Sequence, residues 1–436
     1  MRLLQKDLLQ TWHKVTNVEK GSYRYWRIRI LYSSIIGYAV FYIARQNFSM
    51  ALPGISQEFG YSKTEMGWII TSFSIIYGLG KFLNGYISDR SNARYFMAIG
   101  LLGSATACFL VGFSYGIAWL GIFWIANAWF QSMGWPPVAR MLTHWFSPRE
   151  LGTKWALCAS SHQIGALIIA ISGGYLVQAY GWRSVFYVPG VIALLGALFL
   201  LNRLRDTPKE VDLPAVEEYK NEKSRQCDTL DRITFQEVLP LIIKNKLVWY
   251  MAMANMFLYI PRMALFNWVP TFMKEYKGVN LITAGWQLAS FEFAGLLGGI
   301  LAGWLSDTIF QGRRGPVGAV FMLLSGVALA ILWATPAGYV WADAVTLFLA
   351  GFLVYGPQVL VGIAATDFSS KRAAGVAIGF TGTFAYIGSA MVGAPLGWLV
   401  DHWGWGAGFI LCIASSLLGA FFFAMTWRHR SQVLEK

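Results

Sequence analysis

Twelve apolar runs constrain the fold of this chain more than any other feature. Each is about 20 residues long, and a helix of that length crosses the roughly 30 Å of hydrocarbon in a bilayer. The runs lie at 30–52, 65–88, 95–116, 118–140, 153–178, 182–203, 247–271, 284–306, 317–336, 340–364, 374–399 and 404–427. Charged residues make up only 13% of the chain, about half the share found in a soluble domain. The pattern predicts an all-α polytopic membrane protein with twelve transmembrane helices.

The second half of the sequence repeats the first. The segment GYISDR at 85–90 recurs as GWLSDT at 303–308, and GYLVQAYGWRSVF at 174–186 recurs as GWLVDHWGWGAGF at 397–409 with six identities. The two offsets, 218 and 223 residues, are nearly equal. We therefore expect two pseudo-symmetric six-helix bundles. The expected division is a leader at 1–29, bundles at 30–203 and 247–427, a central loop at 204–246 and a tail at 428–436.

The net charge of +13 collects on one side of the predicted membrane. Of the 35 Lys and Arg residues, 28 lie in the termini and the loops on their side, four lie in the opposite loops and three lie within spans. Because basic residues accumulate in cytoplasmic loops, both termini are predicted to be cytoplasmic, in an inner or plasma membrane. The charge therefore serves topology and contact with the lipid bilayer, and no nucleic-acid partner is expected.

The leader carries seven basic residues and no early apolar run, so it is not predicted to be a cleavable signal peptide. Its leucines and Trp12 leave two alternatives open, a short interfacial amphipathic helix and an ordered cytoplasmic segment. The four cysteines show no metal-binding spacing and no pairing on the outer side. Neither a metal nor a cofactor is expected.

Two arginines lie inside predicted spans. Arg45 occurs in IGYAVFYIARQNFSMAL and Arg262 in MANMFLYIPRMALFNWV, and the 217 residues between them match the repeat offset. A cation in lipid costs several kcal/mol, so an intramembrane arginine is by default a functional residue. Two that are related by the repeat should meet at the repeat interface near the bilayer midplane. Paired guanidinium groups suit a phosphate dianion.

The repeated G-x-x-S-D segments are predicted to stabilise the inner face. Glycine permits close helix approach, aspartate can cap a helix or form an ion pair, and the arginines that follow can bind neighbouring helix ends. The arrangement resembles the cytoplasmic loop motif of the major facilitator superfamily. The residues assigned to this structural role are Asp89, Arg90, Arg94, Asp307, Arg313 and Arg314.

A narrower resemblance comes from five strings. They are GYAVFYIARQNFSMALP, GKFLNGYISDRSNARYFM, WFQSMGWPPVARMLTHWFS, VYGPQVLVG and AAGVAIGFTGTFAYIG. They resemble the organophosphate:phosphate antiporter family, which includes hexose-6-phosphate transporters, glycerol-3-phosphate transporters and a transporter-like sensor of glucose 6-phosphate. The string YGPQ is similar to the hexose-phosphate branch, whereas LPAVEEYKNE and SDRSNARYFM are similar to the sensor-like members.

The resemblance implies a set of site residues. It implies that Arg45 and Arg262 bind the phosphoryl group and that Lys81 and His162 are further phosphate contacts. It also implies a sugar-binding pocket formed by Tyr38, Tyr42, Tyr77, Tyr259, Tyr355, Gln358 and Tyr386.

Three positions depart from the family pattern. Gln46 replaces a basic residue, Asn267 replaces an aspartate, and Ala159 replaces an asparagine that would be one substrate contact. We hypothesise that Gln46 and Asn267 face each other and that this neutral pair lowers the barrier between inward-facing and outward-facing states.

Several of these residues also have a purely structural explanation. Lys81 can extend its amine to the cytoplasmic interface, His162 can be a hydrogen-bonded structural histidine, and the tyrosines can be packing residues. Glu292, the one acidic residue deep in a span, is interpreted as a partner for a basic side chain rather than a proton carrier. One carboxylate leaves a balance of about +2 among Arg45, Lys81 and Arg262, which a phosphate dianion would cancel.

Three function classes follow. The first is an antiporter that exchanges inorganic phosphate for a hexose phosphate, glucose 6-phosphate in particular, with a glycerol-3-phosphate antiporter as the nearest alternative. The second is a membrane sensor of glucose 6-phosphate that signals to a partner kinase. The third, an enzyme, is disfavoured because the loops contain no nucleophile–base pair, metal cluster or phosphate-binding glycine-rich loop. A monomer is expected.

Overall fold

The computed structural model describes residues 2–220, 240–369 and 374–430, and it describes their side chains from residue 22 onward except at 148–149 and 374–375. Most of the predicted tail and much of the predicted central loop, 221–239, therefore lie outside the described residues. The described part is helical, and its long helices correspond to the twelve predicted spans.

Six spans precede the central loop. They are α1 (Arg2–Phe59), α2 (Lys63–Arg90), α3 (Ala93–Gly112), α4 in two pieces, α4a (Ile117–Gln131) and α4b (Trp135–Trp145), α5 (Pro148–Tyr180) and α6 (Ser184–Arg203). Two short helices, Pro208–Val211 and Val216–Tyr219, follow α6. We refer to this part as the N half.

Six spans follow the central loop and form the C half. They are α7 (Lys246–Glu275), α8 (Leu281–Thr308), α9 (Arg314–Ala334), α10 (Val340–Asp367), α11 in two pieces, α11a (Ala374–Met391) and α11b (Ala394–Trp403), and α12 (Trp405–Ala424). The predicted architecture of twelve membrane helices in two pseudo-symmetric bundles is confirmed.

Ten of these spans, with α11a and α11b counted as one, are long enough and apolar enough to cross a membrane, judged by helix length and composition. The other two are α4, which is broken, and α7, whose hydropathy is lowered by polar residues such as Asn255 and Arg262. At about 1.5 Å per residue, the 30 residues of α7 are long enough to cross. Thus α4 misses the criterion because its helix is interrupted, although its first piece is strongly apolar, and α7 misses it because of its polar residues.

The first helix is longer than predicted. The sequence indicated a span beginning near residue 30 after a separate leader, but α1 is one helix of 58 residues from Arg2 to Phe59. The part suited to the membrane begins at Ser22. A separate interfacial helix in the leader is therefore not observed, because the backbone continues into the span without a break.

Proline and glycine account for the two broken helices. The chain leaves helical geometry at Ser132–Gly134, just before Pro136 and Pro137, which have no N–H to donate. In α11 the break falls at Val392–Gly393, before Pro395. The Pro357 of α10, by contrast, lies inside a continuous helix. The breaks therefore do not follow the sequence repeat.

The two faces of the membrane protein differ in how the halves meet. We call the face at which α2 and α12 end the terminal face and the other the opposite face. Near the opposite face, α5 packs on α8 and α2 packs on α11, and a continuous apolar core joins the two halves. Near the terminal face, the hydrogen bonds and ion pairs between described side chains stay within one half, such as those of Arg140 and Arg314. The structure is thus closed at the opposite face.

Candidate functional site

A cavity of about 150 Å³ lies between the halves, near the middle of the membrane helices. Residues of α1, α2, α4b, α5, α7, α10 and α11a line it. They are Tyr38, Tyr42, Arg45, Tyr77, Lys81, Trp135, Ala159, His162, Tyr259, Arg262, Met263, Phe266, Gln358 and Tyr386. Ten of the eleven predicted phosphate-binding and sugar-binding residues are among them. The exception is Tyr355.

The two arginines face this cavity from equivalent helices, α1 and α7. Arg45 lies among aromatic rings, with its guanidinium carbon 4.2 Å from the ring centre of Tyr77 and 5.3 Å from that of Tyr42. The guanidinium carbon of Arg262 lies 5.1 Å from the ring centre of Tyr259. Cation–π contacts of this kind hold a guanidinium group in place while leaving its N–H groups available to a ligand.

None of the ion pairs in the described part of the chain involves Arg45, Lys81 or Arg262. Arg262 is 5% exposed, and its Nε has no hydrogen-bond partner. A buried cation without a counter-ion is costly. The site is therefore short of negative charge, as the sequence predicted.

Glu292 reaches Arg262 only through Tyr355. The Tyr355 hydroxyl donates a hydrogen bond of 2.7 Å to Glu292 Oε2 and lies 3.5 Å from Arg262 Nη2. The other carboxylate oxygen of Glu292 has no partner among the described residues. Tyr355 is not among the residues that line the cavity, and its hydroxyl is bonded to Glu292, so its contact with the sugar stays a prediction.

Lys81 approaches the cavity from α2, on the side of the terminal face. It is exposed, and its Nζ lies 5.6 Å from the ring centre of Tyr386 on α11a. Tyr386 also packs on Tyr77, with ring centres 5.3 Å apart, so these two tyrosines bridge the halves. Gln358 of α10 presents a buried Oε1 that has no partner among the described residues. A ligand between the arginines therefore has an amine and several polar groups within the same cavity.

His162 has one hydrogen-bonded nitrogen and one that is free. Its Nδ1 interacts with the carbonyl of Ala159, which can only accept, so Nδ1 carries the hydrogen. Its Nε2 is buried and has no partner in the described structure. In the neutral ring, Nε2 is then an acceptor. Donation from Nε2 to a phosphate oxygen therefore requires a protonated ring, whereas the neutral ring can only accept a hydrogen bond from a protonated phosphate.

The predicted contact between Gln46 and Asn267 is not made. Gln46 Nε2 instead donates to the backbone carbonyl of Phe266, at 2.6 Å, and to Ser49 Oγ, at 3.0 Å. Among the described residues, Gln46 Oε1 and Asn267 Nδ2 have no partners. Gln46 does join α1 to α7, but through the backbone carbonyl of Phe266 rather than through the Asn267 side chain.

The repeated G-x-x-S-D segments use fewer of their arginines than predicted. Arg314 pairs with Asp307 and, at 3.2 Å, with Asp367 of α10, which ties three helix ends together. Arg90 instead donates to the Tyr86 carbonyl of its own helix. In the described chain, no carboxylate lies in ion-pair contact with the side chains of Arg94 or Arg313, and the Asp89 side chain is likewise outside the ion pairs.

In the N half, Arg140 replaces the predicted arginines. It makes two hydrogen bonds of 2.9 Å to the carboxylate of Asp206 and one to the backbone carbonyl of Asp89. Asp206 in turn accepts from the backbone N–H of Ala93 at the start of α3. Sequence reasoning missed Arg140, Asp206 and Asp367 because all three lie outside the repeated segments and meet them only in the fold.

Sequence reasoning also missed part of the cavity wall. Trp135 begins α4b, and Met263 and Phe266 lie one residue and four residues after Arg262. The helical spacing of Phe266 placed it on the face of Arg262, which was the available signal. For Trp135 the helix break at Gly134 was the only indication.

Comparisons with known proteins agree with this architecture. The sequence pattern of the Major Facilitator Superfamily matches residues 34–393. A solved bacterial homologue of the human lysosomal transporter Spinster, in an inward-facing and unoccupied conformation, superposes with a TM-score of 0.73 over 92% of this chain and 95% of that chain, at 17% identity. At this identity, the likeness to the solved structure supports the fold alone.

Three curated relatives align over nearly their whole length. A probable hexose phosphate transport protein of Chlamydia trachomatis is 40% identical, covering 96% of this chain and 94% of that protein. A glycerol-3-phosphate transporter of Bacillus subtilis is 40% identical, over 93% and 94%. The membrane sensor protein UhpC of Escherichia coli is 39% identical, over 89% of each. These relatives confirm the resemblance to the organophosphate branch that the sequence strings indicated.

Proposed function

Because the chain belongs to the Major Facilitator Superfamily, whose members are transporters rather than enzymes, we propose that it exchanges inorganic phosphate for a hexose phosphate, glucose 6-phosphate in particular. The observation that carries this proposal is that Arg45 and Arg262 face one cavity from the two halves without a carboxylate partner in the described structure. A phosphate dianion supplies the missing charge and accepts hydrogen bonds from both guanidinium groups.

The rest of the cavity supports a sugar phosphate over phosphate alone. Four of its polar groups, those of Tyr38, Tyr42, Tyr259 and Gln358, can exchange hydrogen bonds with sugar hydroxyls. The cavity volume of about 150 Å³ is below the ~300 Å³ at which sites for larger small molecules begin. A hexose phosphate therefore requires the cavity to widen, which fits a site whose halves move apart and together.

Charge also gives a reason for exchange rather than one-way transport. With the cavity empty, two unpaired guanidinium groups oppose full closure, whereas either phosphate or a sugar phosphate neutralises them. Each half supplies one guanidinium, so the ligand binds most tightly when the halves come together around it. Only that difference in affinity between states can drive the change in conformation.

We further propose that the terminal face is cytoplasmic and that the protein lies in an inner or plasma membrane as a monomer. The support is the charge distribution, since 28 of the 35 Lys and Arg residues belong to loops and termini on that side. In this orientation the closed face of the structure is the external one, and the cavity faces the cytoplasm.

Exchange in proteoliposomes tests the function. Vesicles that contain the purified protein and labelled phosphate are diluted into buffer with glucose 6-phosphate, glycerol 3-phosphate or no ligand. We expect release of label with glucose 6-phosphate, and less with glycerol 3-phosphate. Release with glycerol 3-phosphate alone would instead assign the protein to the function of its Bacillus subtilis relative.

The sensor is the second candidate, because UhpC is similar over 89% of its length. A sensor uses the same pocket but need not move its ligand across the membrane. Glucose 6-phosphate binding, measured by calorimetry, without any release of labelled phosphate would favour the sensor. Co-purification with a membrane histidine kinase would then identify the partner kinase that this function requires.

A further inference from the structure

On the opposite face, a carboxylate from the C half caps a helix of the N half. Asp401, near the end of α11b, accepts hydrogen bonds from the backbone N–H groups of Lys63, at 3.1 Å, and Thr64, at 2.7 Å. It also accepts from the Thr64 hydroxyl at 2.6 Å. These N–H groups are the first of α2 and have no acceptor within their helix. A carboxylate at this end also interacts favourably with the helix dipole.

Other contacts continue between α2 and α11 below this cap. The Thr71 hydroxyl donates to the Ala390 carbonyl at 2.7 Å and accepts from the Ala394 N–H at 2.9 Å. Closer to the terminal face, the hydroxyls of Ser74 and Ser389 lie 2.9 Å apart. We call this set, together with Asp401, the α2–α11 contact. It is hydrogen-bonded along its length and crosses from one half to the other.

Glycines bring the two helices this close. A Cβ atom at Gly67 would lie 2.5 Å from the carbonyl oxygen of Gly393, and one at Gly397 would lie 2.3 Å from that of Lys63. Lys63 also forms an ion pair of 3.0 Å with Glu275 at the end of α7. The start of α2 is therefore held by two carboxylates of the C half.

The other repeat has the same backbone arrangement without the carboxylate. Gly174 is the repeat equivalent of Gly397, and a Cβ there would lie 2.5 Å from the carbonyl oxygen of Leu281, at the start of α8. Asn280 accepts from the N–H of Thr283, just as Ser62 accepts from Glu65 in α2. Each of the two helices therefore has an N-cap residue of its own.

The difference lies at the residue that reaches across. The repeat offset of 223 places Gln178 where Asp401 stands. Gln178 lines a cavity of about 600 Å³ beside Asn280 and Leu281, and no described residue accepts a hydrogen bond from the N–H of Leu281 or Ile282. The α5–α8 contact therefore leaves a space in the place where the α2–α11 contact has a charged cap.

We propose that Asp401 stabilises the closed state of the opposite face through the α2–α11 contact, and that this stabilisation is one-sided because Gln178 does not supply its equivalent. The proposal rests on the alternating access that the proposed function requires, since the opposite face must open for the cavity to be reached from that side. Opening separates α2 from α11b and exposes the first N–H groups of α2. Asp401 is a positioning residue: it touches no ligand and acts on the equilibrium between closed and open states.

The test measures that equilibrium directly. Spin labels are placed on the opposite face at residue 115, in the loop between α3 and α4a, and at residue 341, in the first turn of α10; the native side chains there are 82% and 85% exposed. The background has its four cysteines replaced. Distances between the labels are then measured by double electron–electron resonance without ligand. Asp401→Asn removes the charge from the acceptor of these bonds, so we expect it to raise the ratio of open to closed molecules by about ten-fold, which corresponds to about 1.4 kcal/mol.

Matched variants distinguish the cap from general loosening. Gln178→Ala should leave the distances unchanged, because Gln178 makes no contact with the start of α8 through a hydrogen bond. Gln178→Asp, which adds a carboxylate at the equivalent position, should shift the molecules toward the closed state. Thr64→Val, which removes only the hydroxyl contact, should produce a smaller opening than Asp401→Asn. It tests the same cap in a protein that retains Asp401, in case the Asp401 variant does not fold.

Unchanged distances in Asp401→Asn and Thr64→Val would overturn the proposal, as would equal opening in Gln178→Ala. Because the distances are measured without ligand, this result does not depend on which organophosphate the protein transports. Failure of phosphate exchange in the unmodified protein would concern the proposed function alone.

Discussion

The hydroxyl of Tyr355 donates a hydrogen bond of 2.7 Å to the carboxylate of Glu292. This bond keeps the only acidic group near the described site directed at a neutral hydroxyl instead of at Arg262, whose Nη2 lies 3.5 Å from the same hydroxyl. Arg262 therefore stays available to a ligand although a carboxylate is near.

Tyr355→Phe should weaken phosphate and sugar phosphate binding by about ten-fold. Without the hydroxyl, Glu292 loses its hydrogen bond and can pair with Arg262, so the ligand must displace a carboxylate in a low-dielectric site. Calorimetric titration with phosphate measures the effect. Tyr259→Phe, which removes a hydroxyl from another ring in contact with Arg262, is the control and should cost less. An affinity that is unchanged in Tyr355→Phe would contradict this account of Glu292.

Arg45→Lys and Arg262→Lys should each reduce exchange by about 100-fold or more. Lysine keeps the charge but cannot offer the planar pair of N–H donors that suits a phosphate group, and loss of one partner of a buried charged contact costs ~2–5 kcal/mol. Labelled-phosphate release from proteoliposomes measures the loss. Arg183→Lys is the matched control, because Arg183 pairs with Glu58 on the opposite face, away from the cavity. Equal losses in all three variants would indicate damage to the fold.

The double variant Gln46→Lys, Asn267→Asp should slow exchange without lowering phosphate affinity. Gln46 reaches the carbonyl of Phe266, the residue before Asn267, so a lysine and an aspartate at these positions can form an ion pair between α1 and α7. Such a pair adds to the free energy needed to separate the halves. The rate of release at saturating ligand, compared with each single variant, measures it. Transport at the original rate would remove support for the hypothesis that the neutral residues lower the barrier.

Lys277 and Asp343 form a buried ion pair that should control stability. Both side chains are at most 1% exposed, and Lys277 Nζ lies 3.0 Å from Asp343 Oδ1 and donates to the carbonyls of Leu332 and Thr335. Removing one partner of a buried pair costs ~3–5 kcal/mol, whereas replacing both by apolar residues is often neutral. Thermal unfolding in detergent should thus show a large loss for Asp343→Leu alone and recovery in Lys277→Met, Asp343→Leu. Lys274→Met is the control, because Lys274 lies in the last turn of α7, three residues before Lys277. A double variant as unstable as the single one would contradict the prediction.

The sequence predicted most of the membrane architecture, because the bilayer imposes a length and a composition on each span. It also identified Arg45 and Arg262, since a charge inside an apolar run is visible without a structure. Its boundaries were less accurate where the constraint was weaker. The start of α1 lies beyond the membrane, where hydropathy does not apply, and the break in α4 depends on local backbone geometry.

The roles of individual polar residues depended on the tertiary structure. Whether Gln46 meets Asn267 or a backbone carbonyl, and whether Tyr355 faces the cavity or Glu292, is decided by distances between helices far apart in sequence. The same holds for Asp401, whose acceptor role is visible only once α11b is packed on the start of α2. The sequence by itself shows which polar groups lie inside the membrane helices. They are recognisable there because burial in lipid is costly for polar atoms and few occur in apolar runs. Packing between the two halves decides which of those groups pair with each other and which remain available to a ligand.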